Sequence, residues 1–357
     1  MPLVAHNNLP TFQQLEESGE LVLSLERATR QDIRELHIGF LNMMPDAALA
    51  ATEYQFIRFI GACNQIAQIY VYPFSLPELS RSERAKKHIA EHYFDFATLA
   101  TQGLDALIIT GANVSNPLLE EEEFWKPLME VVRWAENNVA SVLCSCLATH
   151  ALVKYHHGIG RTHMGRKKWG VFDHRITCAE HPLMRDINTR FDAPHSRYNE
   201  ITRAQLESAG LAVLAESEEA GVHLAVSPDL LRIVYFQGHP EYDAISLLKE
   251  YKREVMRFFN GEREHGPRYP ENYFSAAAGE IAKQYFHQAE KARKRGEPLP
   301  PFPDAELEAL VDNTWGDTGR AIVNNWLGLV YKLTNLERTK QFMPGVDPDN
   351  PLGLRRY

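Results

Sequence analysis

Cys146, His239 and Glu241 are the residues of this chain whose types and settings could do covalent chemistry. Cys146 falls where an apolar strand, Ala140–Cys144, runs directly into a helical stretch from Leu147 to Tyr155. A residue at such a junction sits on a sharp turn, the setting of a nucleophile elbow. A thiol there faces the amino end of a helix, whose partial positive charge favours the reactive thiolate. The alternative is that Cys144 and Cys146 are small core residues, as free cysteines commonly are. Cys144 lies deeper in the apolar run and is read as core. A cysteine nucleophile needs a base, and the base needs an orienting partner. His239 emerges after the strand Arg232–Phe236 and a glycine, Pro240 stiffens the turn, and Glu241 can accept the other ring N–H. A capping histidine followed by a helix-start carboxylate is the alternative. Both features in one chain point to a Cys–His–Glu hydrolase or transferase.

These residues need a scaffold that brings strand ends together. Apolar runs at His37–Asn42, Ala67–Tyr72, Asp105–Thr110, Ala140–Cys144 and Arg232–Phe236 read as buried strands. They alternate with helical patterns at Thr52–Ala62, Phe124–Asn137, Leu147–Tyr155 and Ala244–Phe259. The alternation predicts an α/β fold with a mostly parallel sheet and helices on both faces. Ligands in such folds bind beyond the carboxyl ends of the strands. Three ends stand out: Thr110-Gly111-Ala112-Asn113, Cys144-Ser145-Cys146 and Gly238-His239-Pro240-Glu241. Residues 1–35 read as a mostly polar extension, 36–335 as the main domain, and 336–357 as a tail. Within the domain, a charged and proline-rich stretch from about 261 surrounds a helix near Ser275–Lys291, and Arg320–Leu333 is a helix expected to pack back on the core.

With 357 residues and 44% hydrophobic content, the chain can bury a large core. The net charge of -9 argues against general affinity for nucleic acid or anionic membrane. No apolar window is long enough to span a bilayer, and MPLVAHNNLP has no signal-peptide pattern. The four cysteines show no CxxC pair and no zinc-finger spacing. A reducing cytoplasm is therefore the expected compartment, and no metal is expected. His156-His157 reads as helix C-capping, and His174 and His195 have no ligand spacing that would argue for a metal.

His37–Pro45 (HIGFLNMMP), Thr52-Glu53-Tyr54-Gln55, Asp105–Ala112 (DALIITGA), Gly170–His174 (GVFDH), Pro194–Tyr198 (PHSRY), Gly238–Asp243 (GHPEYD) and Asn313–Trp326 (NTWGDTGRAIVNNW) carry a resemblance. In this order the chain resembles the homoserine O-succinyltransferase family, whose fold is class I glutamine-amidotransferase-like, a flavodoxin-like three-layer arrangement. The resemblance implies that Cys146 accepts the acyl group, His239 is the general base and Glu241 its partner. It implies substrate contacts at Lys167, Ser196 and Arg253, the last binding the amino-acid carboxylate. Ser115 falls where the family selects its acyl group; a small residue there is associated with succinyl and a Glu with acetyl. The backbone N–H groups of Leu147 and Ala112 would form the oxyanion hole. The implied substrates are L-homoserine and succinyl-CoA, the latter a co-substrate, with no resident cofactor. The implied product is a methionine precursor, and the implied assembly a homodimer.

The chain departs from the family at two places. The family usually has Trp-Gly-Ala-Gln-Ala after the nucleophile, where this chain has Leu147-Ala148-Thr149-His150-Ala151. The stretch after Met-Pro is usually Lys-bearing and shorter, where this chain has a loop Asp46-Ala47-Ala48-Leu49-Ala50-Ala51. The same chemistry with acetyl-CoA, or with another hydroxy amino acid such as L-serine, is the near alternative. A glutamine amidotransferase or cysteine peptidase on the same fold is more distant, as is a catalytically inert binding module.

Overall fold

Strands covered on both faces are apolar without alternation. The computed structural model, which describes residues 3–63 and 67–354, makes each expected run such a strand. In chain order the strands are β1 Leu3–Ala5, β2 Val22–Ser24, β3 Glu35–Leu41, β4 Gln68–Phe74, β5 Ala106–Ile109, β6 Ser141–Ser145, β7 Thr162–Ile176, β8 Arg190–Glu200, β9 Ala212–Ser217, β10 Gly221–Val226 and β11 Ile233–Phe236. They form one 11-stranded sheet in the order β2-β1-β4-β3-β5-β6-β11-β10-β9-β7-β8. Pairings from β2 across to β11 are parallel. Those from β11 to β8 are antiparallel. The fold is α/β, and the sheet is parallel over its larger half.

Alternate residues of the central strands enter two separate apolar layers. Ala106, Ile108 and Leu143 face one layer with the helices Asp46–Gly61 and Gly316–Leu333, which contribute Phe56, Ile60, Trp326 and Leu327. Leu107, Ile109, Val142 and Cys144 face the other, with the helices Trp125–Asn138 and Leu147–His157. A third apolar cluster joins the helix Ser246–Phe259 to the helix Ala276–Arg295 through Tyr251, Val255, Ala282, Tyr285 and Trp315. Among the described residues, no helix is long and apolar enough to cross a membrane.

Three segments differ from their sequence reading. Residues 1–35 are polar in composition yet add β1 and β2 to the sheet edge, because Leu3, Leu9, Phe12 and Leu15 are spaced to bury on the helix Asp46–Gly61 side; positions 1 and 2 lie outside the described residues. Residues 46–51 are not a loop but the opening of the helix Asp46–Gly61. Four alanines with high helix propensity, and an aspartate at the positive end of the dipole, account for this. The antiparallel strands β7 and β8 show no clean apolar run, and β9 and β10 are not among the expected strands although Leu211–Ala215 is apolar throughout. β7 carries Arg166, Lys167, Lys168 and Asp173, and edge strand β8 carries Pro194 opposite Val171, a position where a missing N–H is tolerated. The tail folds back, with Gln341 Nε2 donating to the carbonyls of Glu136 and Val139; residues 355–357 lie outside the described part.

Candidate active site

Because β5, β6 and β11 are neighbours, their carboxyl ends meet, and the three unusual strand ends of the sequence converge there. Cys146 leaves β6 with φ 53° and ψ −109° and caps the helix Leu147–His157. For a residue with a side chain, that conformation costs about 1–3 kcal/mol and persists only when neighbours enforce it. The Cys146 N–H donates to the Phe236 carbonyl at 2.8 Å, and the Thr149 N–H donates to the Cys146 carbonyl at 3.1 Å. The Thr149 hydroxyl donates to Phe236 O at 2.8 Å, with Cys144 O at 3.3 Å. The departures Thr149 and His150 thus have structural work. His150 Nε2 reaches Gln237 Oε1 at 3.1 Å, while Gln237 also holds both backbone groups of Ile201 and the carbonyl of Val222. These bonds fix the end of β11, from which His239 emerges.

His239 Nδ1 lies 2.8 Å from Glu241 Oε1, which also accepts from Ser145 Oγ at 3.2 Å. The other ring nitrogen is left for the Cys146 side, and interaction with Cys146 is among the causes that raise the His239 pKa. Burial alone would lower the His239 pKa, but the Glu241 carboxylate and the Cys146 thiolate outweigh it and push it up to about 10. At neutral pH His239 is therefore an imidazolium paired with the Glu241 carboxylate. Glu241 lines an apolar pocket with Phe59, Ile60, Leu143 and Phe236, where its charge is weakly screened. Cys144, fully buried, has its thiol pushed upward by burial and does not share this environment.

Beneath the histidine turn lie three further buried histidines that the sequence did not associate. His174 Nδ1 bonds the Phe172 carbonyl at 2.8 Å, and its Nε2 lies 3.1 Å from His195 Nε2. Arg197 Nε donates to His195 Nδ1 at 3.2 Å. That donation places the His195 proton on Nε2, pointing at His174, so the pair is a hydrogen-bonded relay with no free lone pair on His195. Their nitrogens and those of His223 are close enough to hold an ion in spacing alone, but this tautomer and the adjacent guanidinium do not suit one. Gly238 rests directly on this layer: a Cβ there would come within 2.5 Å of His223 Nδ1 and 2.9 Å of the Pro194 carbonyl.

Lys167 and Ser196 sit on adjacent strands and meet at one carboxylate. Glu250 Oε2 accepts from Lys167 Nζ at 2.8 Å and from Ser196 Oγ at 2.7 Å, and Oε1 accepts from Tyr242 OH at 2.8 Å. Burial pushes Glu250 upward, but Lys167 and the hydroxyl donors prevail and hold its carboxyl below the usual range. The Tyr242 ring stacks on His239 with centroids 4.3 Å apart, tying this cluster to the His–Glu pair. Arg253 is not drawn into it; its exposed guanidinium has a loose 3.6 Å contact with Glu254. Glu250 and Tyr242 were not singled out from sequence, although Tyr242 lies in the GHPEYD string and Glu250 lies one helical turn before Arg253.

Ser115 is exposed on the loop after β5. Its N–H and that of Asn116 donate to buried Glu122 Oε1 at 2.7 and 2.6 Å. A Cβ built at Gly111 would lie 3.7 Å from the Cys146 Cβ and 3.8 Å from the Leu147 nitrogen, so the β5 loop abuts the elbow. Among the described residues, neither Leu147 N–H nor Ala112 N–H has a backbone acceptor. They are donors without a backbone partner at the two chain segments that meet at the elbow.

A cysteine on a strained strand–helix turn stands beside a His–Glu pair at the strand ends of an α/β sheet, an arrangement suited to an enzyme with a thiol nucleophile. The family model for homoserine O-succinyltransferase matches residues 2–336. A homoserine O-succinyltransferase of Methylococcus capsulatus is 59% identical over 354 residues, covering 99% of this chain and 100% of the relative. One from Thiothrix nivea is 58% identical over 356 residues, covering 100% and 99%. A glutamine amidotransferase structure from Thermotoga maritima has a TM-score of 0.40 at 10% identity, covering 83% of this chain and 97% of that one. The chain belongs to the homoserine O-succinyltransferase family.

Proposed function

We propose that the protein moves the succinyl group of succinyl-CoA to the γ-hydroxyl of L-homoserine through a thioester on Cys146, releasing CoA and O-succinyl-L-homoserine. Family membership supports the reaction, and the observation that carries the mechanism is the strained Cys146 turn beside the His239–Glu241 pair, whose imidazole is held protonated. The Cys146 thiolate attacks the donor carbonyl, and Leu147 and Ala112 N–H groups receive the developing oxyanion. The C–S bond to CoA breaks, and the CoA sulfur takes the proton from His239. With Cys146 now a neutral thioester, one of the two anions that held that proton is gone. Neutral His239 then accepts the γ-hydroxyl proton as homoserine attacks. Collapse expels the Cys146 thiolate and restores the ion pair.

Lys167 and Ser196, gathered on Glu250 beside the Tyr242–His239 stack, lie where an acceptor would meet the base. Arg253, held only loosely, is available for its carboxylate, for which a guanidinium fork is suited. Ser115, small and exposed, leaves room for the longer acyl chain. The reading calls on no metal and no resident cofactor. The four free thiols fit a cytoplasmic setting. Family membership is the ground for expecting a homodimer, which sedimentation velocity checks.

Steady-state rates over succinyl-CoA and acetyl-CoA, each with homoserine and serine, test the reading. Succinyl-CoA with homoserine exceeds the other pairs by about tenfold or more in kcat/KM; faster acetyl transfer overturns the donor assignment. Gly238→Ala tests the geometry. The added methyl group has no room against His223 and Pro194, so His239 shifts and kcat falls about 10- to 100-fold. An unchanged kcat would show that the turn tolerates displacement.

A further inference from the structure

Two arginines, Arg161 and Arg197, have guanidinium groups on the side of the sheet where the β5 loop meets β7 and β8, and for both burial lowers the pKa while nearby anionic groups oppose it. They differ in what else they hold. Arg197 is buried and fully engaged: Nε donates to His195 Nδ1, Nη1 to the Asn199 carbonyl at 2.8 Å, and Nη2 to the Ala220 carbonyl. It is a strut between strands. Arg161 is half-buried just ahead of β7, and its one hydrogen bond runs from Nη2 to the Asn116 carbonyl at 3.5 Å, the weak end of the range. Among the described residues, Arg161 forms no ion pair. The nearby carboxylate, Glu122, interacts with it only at longer range. Glu122 instead spends Oε1 on the N–H groups of Ser115 and Asn116, and its Oε2 lies 3.4 Å from Ser115 Oγ.

A guanidinium carries five N–H donors, so Arg161 has unspent capacity for an anion. Its guanidinium reaches the clamped Ser115–Asn116 segment, and the same loop begins at Gly111, which abuts the Cys146 elbow. A succinyl group on that sulfur ends in a carboxylate roughly 4 Å beyond the thioester carbon, at about 1.5 Å per bond. An acetyl group ends at a methyl and reaches no such partner. We infer that Arg161 is the anion anchor of the donor pocket, pairing with the distal carboxylate of a dicarboxylic acyl group carried on Cys146, with the Ser115–Asn116 loop as the facing wall. Glu122 holds that wall in place through backbone donors, which keeps its own charge from the incoming carboxylate. The inference deepens the succinyl-transfer reading above and rests on it.

The test compares the unaltered protein, Arg161→Gln and Arg161→Lys, using kcat/KM for succinyl-CoA and acetyl-CoA and intact-protein mass after succinyl-CoA alone. A loss of charge near the thiol slows both donors alike, so the ratio of the two kcat/KM values isolates contact with the distal carboxylate. The ratio falls about 30-fold in Arg161→Gln, and less in Arg161→Lys, which keeps the charge but loses the fork. A ratio within about threefold of the unaltered protein's in the Gln variant overturns the anchor, whether or not both rates drop. Mass labelling separates the two claims. A Cys146 adduct with an unmoved ratio leaves the acyl-cysteine standing and removes the anchor. A ratio that falls with no adduct in the unaltered protein keeps the carboxylate contact at Arg161 and overturns its placement on an acyl group carried by Cys146.

Discussion

Replacing Cys146 with alanine removes succinyl transfer, lowering kcat by at least about four orders of magnitude, while the melting transition stays where it was. The thiol is the sole atom lost, and the residue's backbone is held by Phe236 and Thr149 rather than by its side chain. Cys144→Ala is the matched control. That residue is fully buried in the second apolar layer, and burial keeps its sulfur protonated, so its removal costs packing and leaves the chemistry in place. Coupled assays of CoA release, with circular-dichroism melting of both variants, check the pair. Equal loss in the two variants would mean that the wrong sulfur has been assigned.

The second large effect is expected at His239. His239→Asn lowers kcat by about 10²- to 10⁴-fold and changes how Cys146 responds to pH. In the native arrangement His239, with its pKa pushed up to about 10, is protonated throughout the neutral range. Its charge therefore stabilises the thiolate below that pH, and the support is lost as pH rises through about 10. Iodoacetamide consequently alkylates Cys146 faster in the native protein than in the Asn variant at neutral pH, and the difference closes as pH rises through about 10. Superimposable alkylation profiles would show that His239 does not carry the charge assigned to it.

The central parallel strands, β3 to β6 and β11, were legible because they are buried on both faces and so read as unbroken apolar runs, whereas the short edge strands β1 and β2 lie in a mostly polar segment and were not. That was enough to place Cys146 and His239 at converging strand ends. The antiparallel half was not legible, since β7 and β8 have a solvated face, a register shift between His163 and Lys168, and Pro194 within a strand. Lys167 and Ser196 sit there, so their roles came only from resemblance, and neither their shared partner Glu250 nor the buried histidine layer was legible at all. Glu250 illustrates the limit: on a charged amphipathic helix its sequence context is that of a solvated face, and only the packing against Tyr242, Lys167 and Ser196 marks it out. The nine-residue match HIGFLNMMP carried the family without revealing that the residues just beyond it open a helix. Ser246 and Asp243, near the His–Glu turn, are reached from that helix by Gln55 Nε2 and Arg58.

The central claim is that the protein itself carries the acyl group between donor and acceptor. Intact-protein mass spectrometry after mixing with succinyl-CoA and no acceptor measures this directly. The account predicts one added succinyl group, mapped by proteolysis to Cys146 and discharged when homoserine is supplied. CoA release that waits for homoserine, with no adduct formed beforehand, would contradict it.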